Sequence, residues 1–177
     1  MLEYLLCFLI SVPFIDKLLT KLIYNRKSLH QFSNLFSQYI IYINIITNIY
    51  YISYISNYYK VFYRYFIDLF LVNIILKSVF DRPRPKESYL LNINSYIPIY
   101  KIGLSKNWSE NQSFPSGHVT TIYLTHFLIY NTSIYLRYLY KLFIILTIFC
   151  RINTGSHYAS DCYWALLIAH QFKYILL

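Results

Sequence analysis

Six apolar segments limit the folds that this chain can adopt more than any other feature of its sequence. A helix needs about 20 apolar residues to cross the hydrocarbon core of a bilayer, which is roughly 30 Å thick. Most of the segments approach that length, and no internal repeat relates them. The sequence therefore predicts an all-α fold, an integral membrane bundle of about six transmembrane helices. The segments are residues 2–24, 35–59, 61–80, 118–130, 133–150 and 160–177.

The composition of the 177-residue chain supports this fold class. Only 13% of the residues are charged, about half the share that soluble domains usually carry, so a water-soluble regulator is disfavoured. The 16 Lys and Arg outnumber the seven Asp and Glu and give a net charge of +9. Basic residues between apolar segments commonly meet lipid head groups. We therefore expect an anionic membrane lipid, rather than nucleic acid, as the partner.

One long polar stretch, residues 81–115, separates the third apolar segment from the fourth. It contains four of the five prolines in the chain, together with Asn, Ser and Gly residues that favour turns. The pattern predicts a long loop between helices 3 and 4, within a single domain of residues 1–177. Loops of this length in a compact protein are often functional.

Three clusters of polar and ionisable residues lie at the ends of the predicted helices, where such residues need a functional reason. Residues 77–85 end the third helix, residues 115–118 open the fourth, and residues 151–161 join the fifth to the sixth. Because successive spans alternate in direction, these helix ends lie at one face of the membrane. Topology alone therefore predicts that the three clusters converge.

The converging clusters carry three cationic side chains, those of Lys77, Arg84 and Arg151. Such a group repels itself unless an anion lies among its members, and the arginine guanidinium matches phosphate oxygens in bidentate geometry. Gly117 lies at a predicted helix start, where free backbone N–H groups and the helix dipole also favour an anion. We therefore predict a phosphate-binding pocket.

The same clusters contain the groups needed for phosphoryl transfer. Residues four apart share one face of a helix, so Asp161 is expected to hold one ring nitrogen of His157 and leave the other free as a nucleophile. His118 can then donate a proton to the leaving oxygen. Phosphoryl transfer depends mostly on positioning and charge stabilisation, so we expect no metal and no other cofactor.

These residues resemble the signature motifs of the type 2 phosphatidic acid phosphatase family, which shares its site with vanadium haloperoxidases. The motifs K-x6-R-P, P-S-G-H and S-R-x5-H-x3-D match residues 77–85, 115–118 and 151–161, with Cys150 in place of the serine. The resemblance implies a six-helix membrane phosphatase that forms a phosphohistidine on His157, with His118 as general acid and Asp161 as the partner of His157. It implies that the phosphate is bound by Lys77, Arg84, Ser116, Gly117 and Arg151.

The resemblance also implies a location, the cytoplasmic (inner) membrane of a bacterium with the active site facing outward. The distribution of Lys and Arg between the two faces does not follow the positive-inside rule for that orientation. The substrate stays open among phosphatidate, phosphatidylglycerol phosphate, undecaprenyl pyrophosphate and lipid A phosphate, because all four present a similar terminal group.

Two other functions fit the same residues. A non-catalytic lipid-phosphate-binding or transport protein would use the cationic pocket only to hold phosphate. A haloperoxidase-like enzyme would hold vanadate there, although such enzymes are usually soluble. Outside the clusters, Arg64 and Asp68 are four residues apart in the third predicted helix, and this spacing predicts a self-satisfied ion pair.

Overall fold

The computed structural model describes residues 9–55, 58–86, 103–104 and 112–173. Helices make up most of this part of the chain. Helix α3 continues directly into a π-helix and then into the short helix α4, so these three form one long helical segment. The helices are α1 (Pro13–Tyr24), α2 (His30–Ile55), α3 (Tyr58–Tyr65), the π-helix (Phe66–Leu76), α4 (Lys77–Val79), α5 (Gly117–Leu128), α6 (Ile134–Asn153) and α7 (Ala159–Gln171).

The predicted all-α fold is confirmed, because each of the six apolar segments contains a helix. The described residues add only a minimal sheet, in which β1 (Phe80–Asp81) pairs antiparallel with β2 (Gly103–Leu104). Most of the predicted loop, residues 87–102 and 105–111, lies outside the described residues. Within the described ranges, no helix combines the length and the apolar character that crossing a membrane requires. The transmembrane part of the prediction is therefore not confirmed.

Local sequence signals explain where several helices begin. Pro13 is the first residue of α1, a position where proline's fixed φ suits the helix and its missing N–H costs no hydrogen bond. Ser133 precedes α6, and its hydroxyl accepts a hydrogen bond from the Tyr135 backbone N–H at 3.2 Å. Helix α5 begins after Ser116, which follows the cis Phe114–Pro115 peptide bond.

Helix α5 lies at the centre of the fold. It contributes Ile122 to a core formed with α2, α3 and α6, and Val119 to a core formed with α1, α6 and α7. Leu124 packs in a third core, against Ile67 of the π-helix and Ala169 of α7. Since helices surround α5, its first turn is held at a fixed position among the ends of its neighbours.

Helix α2 has the reverse of the polarity expected for a helix at an aqueous surface. A soluble surface helix buries its apolar stripe and exposes its polar face. Here several polar side chains face the protein interior and several large apolar side chains face outward. The buried polar residues are Ser33, Ser37, Asn44 and Asn48, and the exposed apolar residues include Tyr39, Tyr42, Ile46 and Ile49.

Candidate active site

The structure brings the three motif clusters together at one end of the helices. Lys77 opens α4, the segment 115–118 leads into α5, and the segment 151–161 connects α6 to α7. Three backbone hydrogen bonds join residues that lie in the clusters or directly beside them, and together they link the clusters in pairs. The Lys86 N–H donates to the Gly155 carbonyl (3.0 Å), the Ser113 N–H to the Arg82 carbonyl (2.7 Å), and the Ser116 N–H to the Asp161 carbonyl (3.4 Å).

His157 is almost completely buried, and both of its ring nitrogens have a partner. Nδ1 lies 2.6 Å from the Ser113 carbonyl oxygen, which can only accept, so the proton is on Nδ1. Nε2 therefore carries the lone pair, and it faces Nη2 of Arg151 at 3.4 Å. This tautomer leaves Nε2 able to attack an electrophile held by Arg151.

The surroundings of His157 favour its neutral form. Burial is the main cause, and the positive charges of Arg151 and Lys77 add to it, so the pKa of His157 lies well below the usual value of 6.5. A neutral imidazole is the nucleophilic form. The environment therefore keeps His157 in the reactive state before an anion enters.

The predicted pairing of Asp161 with His157 differs from the observed contacts. His157 lies before the start of α7, so the four-residue spacing does not place both residues on one helical face. The Asp161 carboxylate instead accepts hydrogen bonds from the Tyr158 backbone N–H (2.8 Å) and from the Ser113 hydroxyl. Asp161 therefore holds Ser113, and the Ser113 carbonyl in turn holds His157.

A buried ion-pair network supports this arrangement, and sequence reasoning missed it. Arg82 has no solvent exposure and bridges two carboxylates, that of Asp161 and that of Asp16 in α1 at 2.9 Å. Asp16 also accepts hydrogen bonds from the backbone N–H of Ser160 at 2.9 Å and from its hydroxyl. The signal in the sequence was an acidic residue inside an apolar helix, which is costly unless it is paired.

The three predicted cations lie within electrostatic range of one another and of His118. Burial, and then the positive charge of Arg84, lowers the pKa of Arg151 to about 10. The ion pairs found in the described ranges both belong to Arg82, and neither Lys77 nor Arg151 takes part in them. Half-buried cations that lie close together without a carboxylate partner repel one another, so the pocket suits an anion.

Backbone groups at the start of α5 complete the anion pocket. Ser116 is the N-cap residue, and its hydroxyl makes no hydrogen bond to its own helix. Gly117 packs closely against Asn73, since a Cβ atom at this position would lie 2.4 Å from the Asn73 Oδ1 atom. His118 and Gly117 line a cavity of about 340 Å³ together with Lys77. The free N–H groups and dipole of this helix start favour a phosphate oxygen.

The acidic side chains nearest the site, those of Asp16 and Asp161, are both bound to Arg82. Among the described residues, no group of three or more His, Cys, Asp or Glu side chains is placed to hold a metal ion. Cys150, which replaces the motif serine, is buried with a free thiol. The donors that surround the pocket are therefore cationic side chains, imidazoles and backbone N–H groups, which suit an oxyanion.

Gly155 is expected to be essential for joining the first and third clusters. Its φ of +66° is unfavourable for other residues, and an added Cβ would lie 2.6 Å from Cε2 of Tyr24 and 2.9 Å from Cβ of Lys86. We expect Gly155→Ala to lower the free energy of unfolding by about 1–3 kcal/mol. Thermal unfolding followed by circular dichroism measures this change.

The matched control for this substitution is Ser53→Ala on the exposed face of α2, which should change stability by less than about 0.5 kcal/mol. Equal unfolding temperatures for Gly155→Ala and the unmodified protein would show that the backbone at residue 155 tolerates a side chain.

Comparison with known proteins shows which family the chain belongs to. The family model for the PAP2 superfamily matches residues 57–176, which is more than half of the chain and includes all three clusters. No curated protein and no solved structure matched the chain. The matched region, with its histidines and cations gathered around one pocket, shows that this chain belongs to the PAP2 superfamily.

Proposed function

We propose that this protein is a membrane lipid phosphatase that hydrolyses a lipid phosphomonoester or pyrophosphate through a phosphohistidine on His157. Membership in the superfamily supports phosphatase activity on phosphoesters. The observation that carries the proposal is the orientation of the His157 ring. Its Nδ1 is held by the Ser113 carbonyl, and its Nε2 is presented to Arg151.

In the first step the Nε2 lone pair of His157 forms a bond to phosphorus while the bond from phosphorus to the leaving oxygen breaks. The negative charge of the bound phosphate offsets the nearby cations and lets His118 carry a proton, which it donates to that oxygen, so the lipid leaves as a neutral alcohol or a phosphate. Negative charge on the phosphoryl oxygens is stabilised by three cations and by the N–H groups at the start of α5. The cations are Lys77, Arg84 and Arg151. At the helix start Gly117 offers its N–H, and Ser116, whose own N–H donates to the Asp161 carbonyl, offers its hydroxyl.

In the second step a water molecule attacks the phosphorus of the phosphohistidine. His118, which is now neutral, accepts the water proton, and the bond between nitrogen and phosphorus breaks. Inorganic phosphate leaves, and both histidines return to their starting forms. Asp161 and Arg82 act as positioning residues, since they hold Ser113 and through it the ring of His157.

The polarity of the helices supports a membrane location. Helix α2 buries polar side chains and exposes large apolar ones, and α6 exposes Leu142 and Ile145. Large exposed apolar surfaces are costly in water and are typical of proteins that contact lipid. The proposal therefore places the protein in a membrane as a bundle of about six helices. The family resemblance, rather than this polarity, is the basis for proposing a bacterial cytoplasmic membrane with an outward-facing site.

The test is release of inorganic phosphate from phosphatidate in mixed detergent micelles. We expect steady release that continues after divalent metals are removed with a chelator, because the cationic pocket supplies the charge stabilisation. A non-catalytic lipid-binding protein gives saturable binding of phosphatidate with no phosphate release and no labelled histidine. That outcome would reject the proposed activity in favour of the binding function.

A further inference from the structure

The cavity lined by His118 continues beyond the phosphate pocket into the helix bundle. Its walls come from α2, from α3 with the π-helix, and from α5. The apolar part of the wall includes Ile41, Ile45 and the ring of Tyr65. The polar part includes Asn44, Arg64 and Asp68. A cavity open to the catalytic histidine and lined in this way is suited to the part of a substrate next to its phosphate.

Arg64 is fully buried in this wall, and some of its hydrogen-bond donors are unused. Its Nη2 donates to the Thr121 carbonyl at 3.3 Å, and its guanidinium carbon lies 4.3 Å from the centre of the Tyr65 ring. Its Nε and Nη1 have no hydrogen-bond partner in the described part of the chain. Buried donors of this kind normally have a partner, because leaving one unsatisfied is costly.

The prediction that Arg64 and Asp68 form a self-satisfied ion pair is wrong. Both side chains are buried, but the ion pairs within 4 Å in the described ranges both belong to Arg82. One carboxylate oxygen of Asp68 accepts a hydrogen bond from the Thr121 hydroxyl instead. The carboxylate's other oxygen, Oδ1, has no hydrogen-bond partner among the described residues, and neither has Oδ1 of Asn44.

These unused groups specify the chemistry of a ligand. Arg64 offers two donors, whereas Asp68 and Asn44 each offer an acceptor. The opposite charges of Arg64 and Asp68 act on each other and largely cancel within the pair. A hydroxyl group both donates and accepts and is itself neutral, so it matches this set. A second phosphate offers no donor and places negative charge beside Asp68.

The position of these groups relates them to the reaction. Arg64 and Asp68 both bind Thr121, which follows His118 by three residues on α5. Residues three apart lie on one face of a helix, about 4.5 Å apart along its axis. The unused donors and acceptors therefore lie about one helical turn beyond the proposed general acid, along the same cavity.

We propose that Arg64, Asp68 and Asn44 form a subsite that binds hydroxyl groups on the alcohol released from the lipid phosphate. This inference rests on the proposed phosphatase activity and makes phosphomonoesters of a polyol head group its preferred substrates, with phosphatidate, which lacks the additional hydroxyl, a slower one. A polyprenyl diphosphate lacks the hydroxyl and leaves the buried donors and acceptors unpaired.

The test compares two short-chain lipids that differ in one hydroxyl group. One is dioctanoyl phosphatidylglycerol phosphate, and the other carries 1,3-propanediol in place of the glycerol that bears the terminal phosphate. We expect kcat/KM to be at least about 10-fold higher for the first lipid, because a site built to bind a hydroxyl discriminates against its absence. The ratio of the two kcat/KM values does not depend on how much of the preparation is folded.

Arg64→Gln and Asp68→Asn are expected to bring this ratio close to one, and the matched control Arg137→Gln is expected to keep it. Arg137 also lies over a tyrosine ring, that of Tyr130 at 5.1 Å, but it lines a different cavity. Asp68→Asn preserves the size of the side chain, so it tests the subsite even if Arg64→Gln does not fold.

Equal rates for the two lipids in the unmodified protein would overturn the subsite and leave the phosphatase activity intact. A preference that persists in both cavity variants would also overturn it, because a purely structural role for Arg64 and Asp68 leaves the ratio unchanged. Release of phosphate from neither lipid would reject the proposed activity, and the subsite with it.

Discussion

His157→Gln is expected to reduce phosphate release from phosphatidate by about 10³-fold or more. Glutamine keeps a polar side chain of similar length but has no ring nitrogen with a lone pair, so no phosphorylated intermediate can form at this position. Removing a nucleophile typically leaves only the rate that binding and charge stabilisation provide. Initial rates of phosphate release measure the loss. Rapid quenching with a radiolabelled lipid phosphate tests for acid-labile, base-stable label on the unmodified protein.

The matched control is His126→Gln. His126 is also buried, in the second half of α5, but it lies away from the three clusters. The His126→Gln variant should release phosphate at a rate within a few-fold of the unmodified protein and should retain the labelled intermediate. Full activity of His157→Gln, or label that persists in this variant, would assign the nucleophile to another residue.

Much of the fold follows from patterns within short stretches of sequence. Each apolar segment became a helix, because helical hydrogen bonding needs only neighbouring residues and the segments are long enough to sustain it. The meeting of the clusters followed from the number and direction of the helices. His118 and Arg151 could therefore be assigned to one pocket without knowledge of any side-chain position.

The partners of the site residues could not be predicted in the same way. The four-residue spacing suggested that Asp161 contacts His157, but α7 begins after His157, so the two residues do not share a helix. The Nδ1 atom of His157 instead hydrogen-bonds to the Ser113 carbonyl. The contact of Arg82 with Asp16 joins residues 66 positions apart. Pairings of that separation depend on how whole helices pack, which the spacing of residues within one segment does not encode.

The same limit applies to Arg64. Its four-residue spacing from Asp68 suggested an ion pair on one turn of an α-helix. The chain passes from α3 into a π-helix between these two residues, which changes the angle between their side chains. Each side chain then turns to Thr121 of α5. The change in helix type therefore leaves buried donors and acceptors beside the cavity unpaired, which a regular α-helix would have paired.

Arg82→Gln is expected to lower the free energy of unfolding by about 3–5 kcal/mol. Arg82 is the cation that bridges Asp16 and Asp161, and all three side chains are fully buried. Removing it leaves two buried carboxylates close together without a cation, and breaking buried pairs in this way carries a cost of that size. Chemical denaturation in detergent micelles, followed by circular dichroism, measures the change.

The double variant Asp16→Asn with Arg82→Gln distinguishes this electrostatic cost from simple loss of packing. Asparagine keeps the shape of Asp16 but removes one of the two negative charges that lose their cation when Arg82 is replaced. The double variant should therefore recover part of the lost stability. Arg137→Gln, which removes an arginine outside the network, should change stability by about 1 kcal/mol or less. A double variant no more stable than Arg82→Gln alone would mean that the charge of Asp16 contributes nothing to the cost. In that case Arg82 would support the active site through its packing and its bond to Asp161, and the link from α1 to the catalytic histidine would lose its electrostatic basis.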